Sequence, residues 1–217
     1  MSVQQNSSQV SIFSPEANGT LVHLAKILSF VINPNFCQFF IFIFFRNSPD
    51  IIIYGLSFFF LAILPLIGYV IYVRYVLKRE NLYVLERNRR FIPFFVNIFS
   101  IGIFHITLNY LGYVEQNTLI IMQFLWFLNI FAMCITFFWR ISIHQIATSA
   151  SFALIMFLYS GLNLSIMNIG LLFLLIAVGW SRYYLRGHTL PQIIAGSCIG
   201  YFSILGYLYF LKKLLPA

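Results

Sequence analysis

Most of the chain between residues 51 and 211 is a series of long apolar runs parted by short polar breaks: 51–76, 91–113, 118–139, 143–162, 165–180 and 190–211. A helix that crosses a bilayer needs about 20 predominantly apolar residues, and several of these runs approach or exceed that length. The hydrocarbon core holds no water, so every backbone N–H and C=O must be satisfied within the chain, which leaves helices or closed barrels. The runs are continuous rather than alternating, which points to helices. Composition agrees. The chain is 61% hydrophobic, carries 26 phenylalanines and is only 8% charged, against about 25% charged in an ordinary soluble domain. The expected fold class is all-α: a polytopic integral membrane bundle of six core transmembrane helices.

An extra N-terminal segment, 20–46, precedes these spans and is broken at Asn33–Pro34, because a proline disfavours helix in the residue before it. Its first half carries His23 and Lys26 and reads as interfacial; its second half can enter the bilayer. Residues 1–19 are a polar tail without the charged-then-apolar pattern of a cleavable signal peptide. Residues 20–217 read as one transmembrane domain with no internal repeat. Pro65 is expected to kink its span. Cys37, Cys134 and Cys198 all fall in apolar runs with no metal-ligand spacing, and read as packing residues.

Thirteen Lys/Arg face five Asp/Glu, a net charge of +8. In a soluble protein this balance would suggest nucleic acid. Here the charges crowd into short loops, so the expected partners are membrane lipids and a phosphorylated substrate, not nucleic acid. Two spans separate the charged loop 78–90, KRENLYVLERNRR, from Arg140–His144. Two more separate His144 from Arg182–His188. An even number of crossings returns the chain to the same face. Three polar clusters can therefore meet at one membrane surface: Arg87/Arg89/Arg90, Arg140/Ser142/His144 and Arg182/Arg186/His188/Gln192. That face carries nine Lys/Arg, from Arg74 through Arg186, against Arg46, Lys212 and Lys213 on the other. The positive-inside rule then places the site on the cytoplasmic side.

Arginine presents a planar fork that matches phosphate oxygens in pairs. Several such forks aimed at one point would spread the charge of a phosphoryl group in its transition state. Two histidines nearby supply what metal-free phosphoryl transfer needs: one attacks phosphorus, the other protonates the leaving oxygen. With no Asp/Glu cluster to hold metal ions, a two-metal hydrolase is not expected, and no cofactor is called for. TLPQ at 189–192 has the form of a capping box, with Thr189 as N-cap and Gln192 as N3. Pro191 is tolerated in the first turn, where its missing N–H has no intrahelical partner anyway. SIHQ at 142–145 has the same form, with Ser142 as N-cap. Both His188 and His144 would then sit at helix N-termini, where free N–H groups and the positive dipole end favour phosphate.

These residues resemble signatures of the type 2 phosphatidic acid phosphatase (PAP2) superfamily. Its third signature begins SR-x5-H and continues x3-D; Ser181, Arg182 and His188 match, and Gly196 falls where these proteins often carry glycine. Its second, PSGH, reads Ile141-Ser142-Ile143-His144 here. Its first, K-x6-RP, is matched only by RNRRFIP, with Arg87, Arg90 and Pro93 at a different spacing. The resemblance covers roughly residues 74–205. It implies that His188 forms a phosphohistidine and that His144 protonates the leaving group. Arg182, Arg90 and Arg87, helped by Ser142, would hold the phosphate. The superfamily's aspartate is replaced by Gln192, whose oxygen accepts Nδ1–H and fixes the tautomer but cannot stabilise imidazolium charge as a carboxylate does. The implied activity is hydrolysis of a lipid phosphate or diphosphate, of polyprenyl diphosphate or phosphatidate type, in the cell membrane of a prokaryote. Phosphoryl transfer to an alcohol is the enzymatic alternative. An inactive relative that binds anionic lipid, or a transporter, is the alternative from another class.

Plainer readings stand beside these. Gln192 serves a helix cap as well as it serves a histidine. Arg140 sits at a span end, where it can snorkel to the headgroups or reach the phosphate. Arg186 reads as a headgroup-facing charge. His105 lies about ten residues from either end of its span; an intramembrane ionisable residue is a functional candidate by default, but a neutral histidine bonded to a neighbouring helix is the better reading.

Overall fold

A computed structural model of the chain describes residues 19–34, 37, 55–56, 58–76, 91–112, 116–157 and 166–214. The described elements are all helical. They are α1 (Gly19–Val31), α2 (Leu64–Ile71), α3 (Phe91–Leu111), α4 (Gln116–Phe138), α5 (Ile143–Ile155), α6 (Ile166–Tyr184) and α7 (Leu190–Leu214). Two π-helical turns, Phe59–Ile63 and Tyr72–Val76, flank α2. The run Phe59–Val76 and helices α3, α6 and α7 are long and apolar enough to cross a membrane; Met122–Phe138 of α4, α5 and α1 are shorter apolar stretches. The six expected core spans correspond to α2 through α7.

The outward faces explain the composition. Phe99, Ile106, Phe138, Ile166 and Phe173 all point away from the bundle, and Ile166 is 90% exposed. Water would not tolerate so many large apolar side chains outside, so lipid is the solvent of this fold. The expected disturbance at Pro65 takes the form of the π turn at Phe59–Ile63, just ahead of the proline at the start of α2. Proline lacks an N–H and its ring clashes with the carbonyl one turn back, so the helix widens there.

The main core joins α3, α4, α5 and α7 through Phe94, Leu125, Leu128, Ile146, Leu154 and Ile204. The closest helix pair within it is α5 against α7. A Cβ on Gly196 would lie 2.8 Å from the Ser142 carbonyl, and one on Gly200 would overlap the Ile146 carbonyl and Ser149 Oγ. Small residues four apart let two helix backbones touch where the bilayer gives no hydrophobic drive to bring them together. Ser149 Oγ donates to the Ile146 carbonyl at 3.1 Å and reaches the Gly196 carbonyl at 3.5 Å. This contact fixes the start of α5 against the start of α7.

Three features depart from the sequence expectation or refine it. Cys37 is a buried packing residue, with Sγ 3.9 Å from Thr148 Oγ1, but Cys134 and Cys198 are exposed. They occupy outward helix faces, where a small apolar side chain is as acceptable as in the core. His105 is buried beside the Trp126 ring, centroids 6.4 Å apart; its contact with α4 is aromatic packing. α1 is docked on the bundle. It runs antiparallel to α6, with Ser29 at Arg182 and Ile32 packed on Val178.

Candidate active site

The turn after α6 builds half of the site. Its helix ends in a Schellman arrangement: the Gly187 N–H donates to the Arg182 carbonyl at 3.0 Å and the Arg186 N–H to the Tyr183 carbonyl at 2.9 Å. The motif needs one left-handed residue, and Arg186 supplies it with φ 51°. The His188 N–H reaches the same Arg182 carbonyl at 3.3 Å. Gly187 is required by space, because a Cβ there would stand 2.9 Å from Arg182 Nη2. One hydrogen-bonded turn thus holds a buried guanidinium beside His188.

The start of α7 fixes the imidazole. The Thr189 N–H donates to Gln192 Oε1 at 3.1 Å, the reciprocal half of the expected capping box. An N–H can only donate, so that end of the amide is its oxygen. The same oxygen lies 3.3 Å from His188 Nδ1. Nδ1 therefore carries the proton, and the ring's lone pair is on Nε2. Gln192 is at once a helix cap and the partner of His188.

The start of α5 supplies the second imidazole. The Ser142 N–H donates to the Gln192 carbonyl at 3.4 Å, so the two helix starts lie side by side. His144 follows in the first turn of α5, within electrostatic reach of both Arg182 and His188. Its Nε2 sits 3.2 Å from the Ser29 carbonyl. A carbonyl only accepts, so here the proton is on Nε2. The two rings are held through opposite nitrogens. Ser142 occupies the N-cap position, with φ −82° and ψ 102°, but makes no capping bond. The second capping box therefore exists by position alone. Gln145, its expected partner residue, is drawn across to α6, where Nε2 donates to the Leu175 carbonyl at 3.0 Å. Ser142 Oγ is left fully buried without a hydrogen-bond partner among the described residues.

Of the sequence candidates, His144, Ser142, Arg182, His188 and Gln192 come together at one end of α5, α6 and α7. Arg140 lies exposed in the connection that leads into Ser142. Arg87, Arg89 and Arg90 fall outside the described residues. Ser29 belongs to the site and was not a candidate. Arg182 Nη1 donates to its Oγ at 2.7 Å, while its carbonyl meets His144. The only trace of it in the sequence is a pair of small residues, Ala25 and Ser29, four apart in an apolar run.

The fold and this cluster define a class: a helical membrane protein with a basic, two-imidazole site at one end of its bundle. The chain belongs to the PAP2 superfamily, whose family model matches residues 93–216. That superfamily includes lipid phosphatases. The matched region holds both histidines, Arg182 and Gln192, and starts after Arg87 and Arg90. No curated protein and no solved structure matches the chain.

Proposed function

We propose that the protein is an integral-membrane phosphatase that hydrolyses a lipid phosphate or diphosphate through a phosphohistidine. The observation that supports this most is that two imidazoles beside Arg182 engage their partners through opposite ring nitrogens, Nδ1 of His188 and Nε2 of His144. His188 Nε2 carries a lone pair and attacks phosphorus. As the P–O bond to the lipid breaks, His144, entering the step as imidazolium, gives its Nε2 proton to the departing oxygen and is left neutral. Water then attacks the phosphohistidine, His144 takes back a proton, and inorganic phosphate leaves. Arg182 neutralises charge on the equatorial oxygens throughout, and Ser142 Oγ is a buried hydroxyl with hydrogen-bonding capacity to spare for the same group. Arg140, Arg90 and Arg87 complete the proposed phosphate-binding set. The count of Lys/Arg favours a cytoplasmic-facing site in a prokaryotic cell membrane.

The test is phosphate release by purified protein from polyprenyl diphosphates and phosphatidates in the presence of chelator. Release is expected from at least one of them. In His144→Ala it should fall about 100-fold or more, the usual worth of a general acid, with a smaller loss for p-nitrophenyl phosphate, whose leaving group needs no proton. Equal losses for both ester types would remove His144 from the acid role.

Gln192→Asp checks the orienting role. A carboxylate at this position would hold Nδ1–H and also stabilise imidazolium charge, and exchanging such a carboxylate for an amide costs a serine protease about 10⁴ in rate. The reverse change here should raise kcat by at least roughly tenfold on the same argument. A fall in kcat would mean that the amide is needed as it stands.

A further inference from the structure

The two donors assigned to substrate in the preceding reading are both occupied, and by one residue. Ser29 Oγ accepts from Arg182 Nη1 at 2.7 Å, and the Ser29 carbonyl accepts from His144 Nε2 at 3.2 Å. A phosphate held by Arg182 and a leaving oxygen protonated by His144 would need the places these two atoms fill. We propose that α1 is a lid latched by Ser29 over the phosphate seat, and that a lipid phosphate enters from the bilayer by displacing it. This rests on the phosphatase reading of the same site.

The build of α1 suits such movement. Only Ala25 and Ser29 are buried within it, with Leu28 partly buried against the Val178 cluster, so its contact with the bundle is a narrow stripe with one large side chain. Leu24, Ile27, Phe30 and Val31 are exposed and already face lipid. Swinging α1 outward therefore gives up chiefly the packing of Leu28, and the bilayer supplies no hydrophobic force that holds it shut. A hinge is present. The helix ends at Val31, Ile32 is a turn residue, and Asn33 precedes Pro34. Beyond the hinge, Cys37 is anchored: it packs with Ile32 and Val178 and touches Thr148. Ile32 and Cys37 can stay packed on Val178 while the 13 residues of α1 pivot.

The latch is chemically matched to its key. A serine hydroxyl and a peptide carbonyl are neutral acceptors, whereas a phosphate is anionic and bonds arginine roughly twice as strongly. The anionic head of a lipid can outcompete Ser29; a neutral head cannot. The lipid-facing outer side of α1 makes the opening lateral, so an acyl or isoprenoid tail need not leave the membrane.

The experiment uses nitroxides at Ile27→Cys and Tyr183→Cys, both exposed positions, with Cys134 and Cys198 changed to alanine. Inter-label distances are measured with and without orthovanadate, and vanadate affinity is measured in parallel by calorimetry. Saturating vanadate is expected to add a longer-distance population. Ser29→Ala should populate that longer distance without vanadate. It should also bind vanadate roughly tenfold tighter, because a charge-assisted latch no longer reduces the competent fraction. Vanadate binding with an unchanged distance distribution overturns the lid, as does weaker binding in Ser29→Ala, which would make Ser29 a phosphate ligand. The phosphatase reading fails differently: no vanadate binding in either protein and no phosphate release from any lipid, and the lid falls with it.

Discussion

Replacing His188 with alanine will abolish phosphate release while leaving anion binding in place. The variant keeps Arg182, because the turn that seats the guanidinium is closed by backbone groups: Gly187 N–H and the N–H of residue 188 both reach the Arg182 carbonyl. It also keeps the Thr189-to-Gln192 cap at the start of α7. What disappears is the nitrogen proposed as the nucleophile. Removing a nucleophile that acts as part of a unit costs an enzyme about three orders of magnitude or more. Turnover of a responsive lipid phosphate should fall at least that far, while inorganic phosphate, which Arg182 would hold without a bond to the imidazole, should still bind. Retained turnover would show that phosphorus is attacked by water directly, and the phosphohistidine would have to be abandoned.

Gly200→Leu should be the most damaging substitution to the fold. Even the first carbon of a side chain at this position collides with the Ile146 carbonyl and Ser149 Oγ. One of these is backbone, so it cannot swing aside; α5 and α7 must separate. Overpacking costs about 1–3 kcal/mol when neighbours can adjust, and here the neighbour is a helix, so about 3 kcal/mol or more is expected. The readout is the thermal midpoint and the monodisperse yield in detergent. Gly206→Leu is the control, since nothing lies within 4 Å of a Cβ there. Equal behaviour of the two variants would contradict the close approach. Activity should fail with stability in Gly200→Leu, because the α5–α7 contact sets His144 against the His188 turn.

Local signals in the sequence carried well and tertiary ones did not. The TLPQ cap formed because Thr189 and Gln192 are three residues apart and need nothing from elsewhere. The matching signal at SIHQ did not form its bonds, because a carbonyl on another helix, that of Leu175, claimed Gln145. The meeting of His144 with Arg182 and His188 was legible for a topological reason: even numbers of crossings return a chain to one face, whatever the packing in between. Ser29 was invisible by the same logic. It is 115 residues from His144 and 153 from Arg182, and no short pattern records a contact made by docking a helix. Gly196 stood out in the sequence only as a position where the superfamily often carries glycine, and its pairing with Gly200 was not read. Nor was the partner on α5, since spacing on one helix does not say which helix it meets.

The turn at residues 182–188 gives the two halves of the proposed reaction unequal mechanical tolerance. Arg182 and His188 share one carbonyl as a hub, so the cationic clamp and the attacking nitrogen travel as a single rigid body. His144 rides on a separate helix and meets them only across a seam. The seam is held by the close α5–α7 approach at Gly196 and Gly200, so a change that loosens it would reach the proposed proton delivery before the proposed attack on phosphorus.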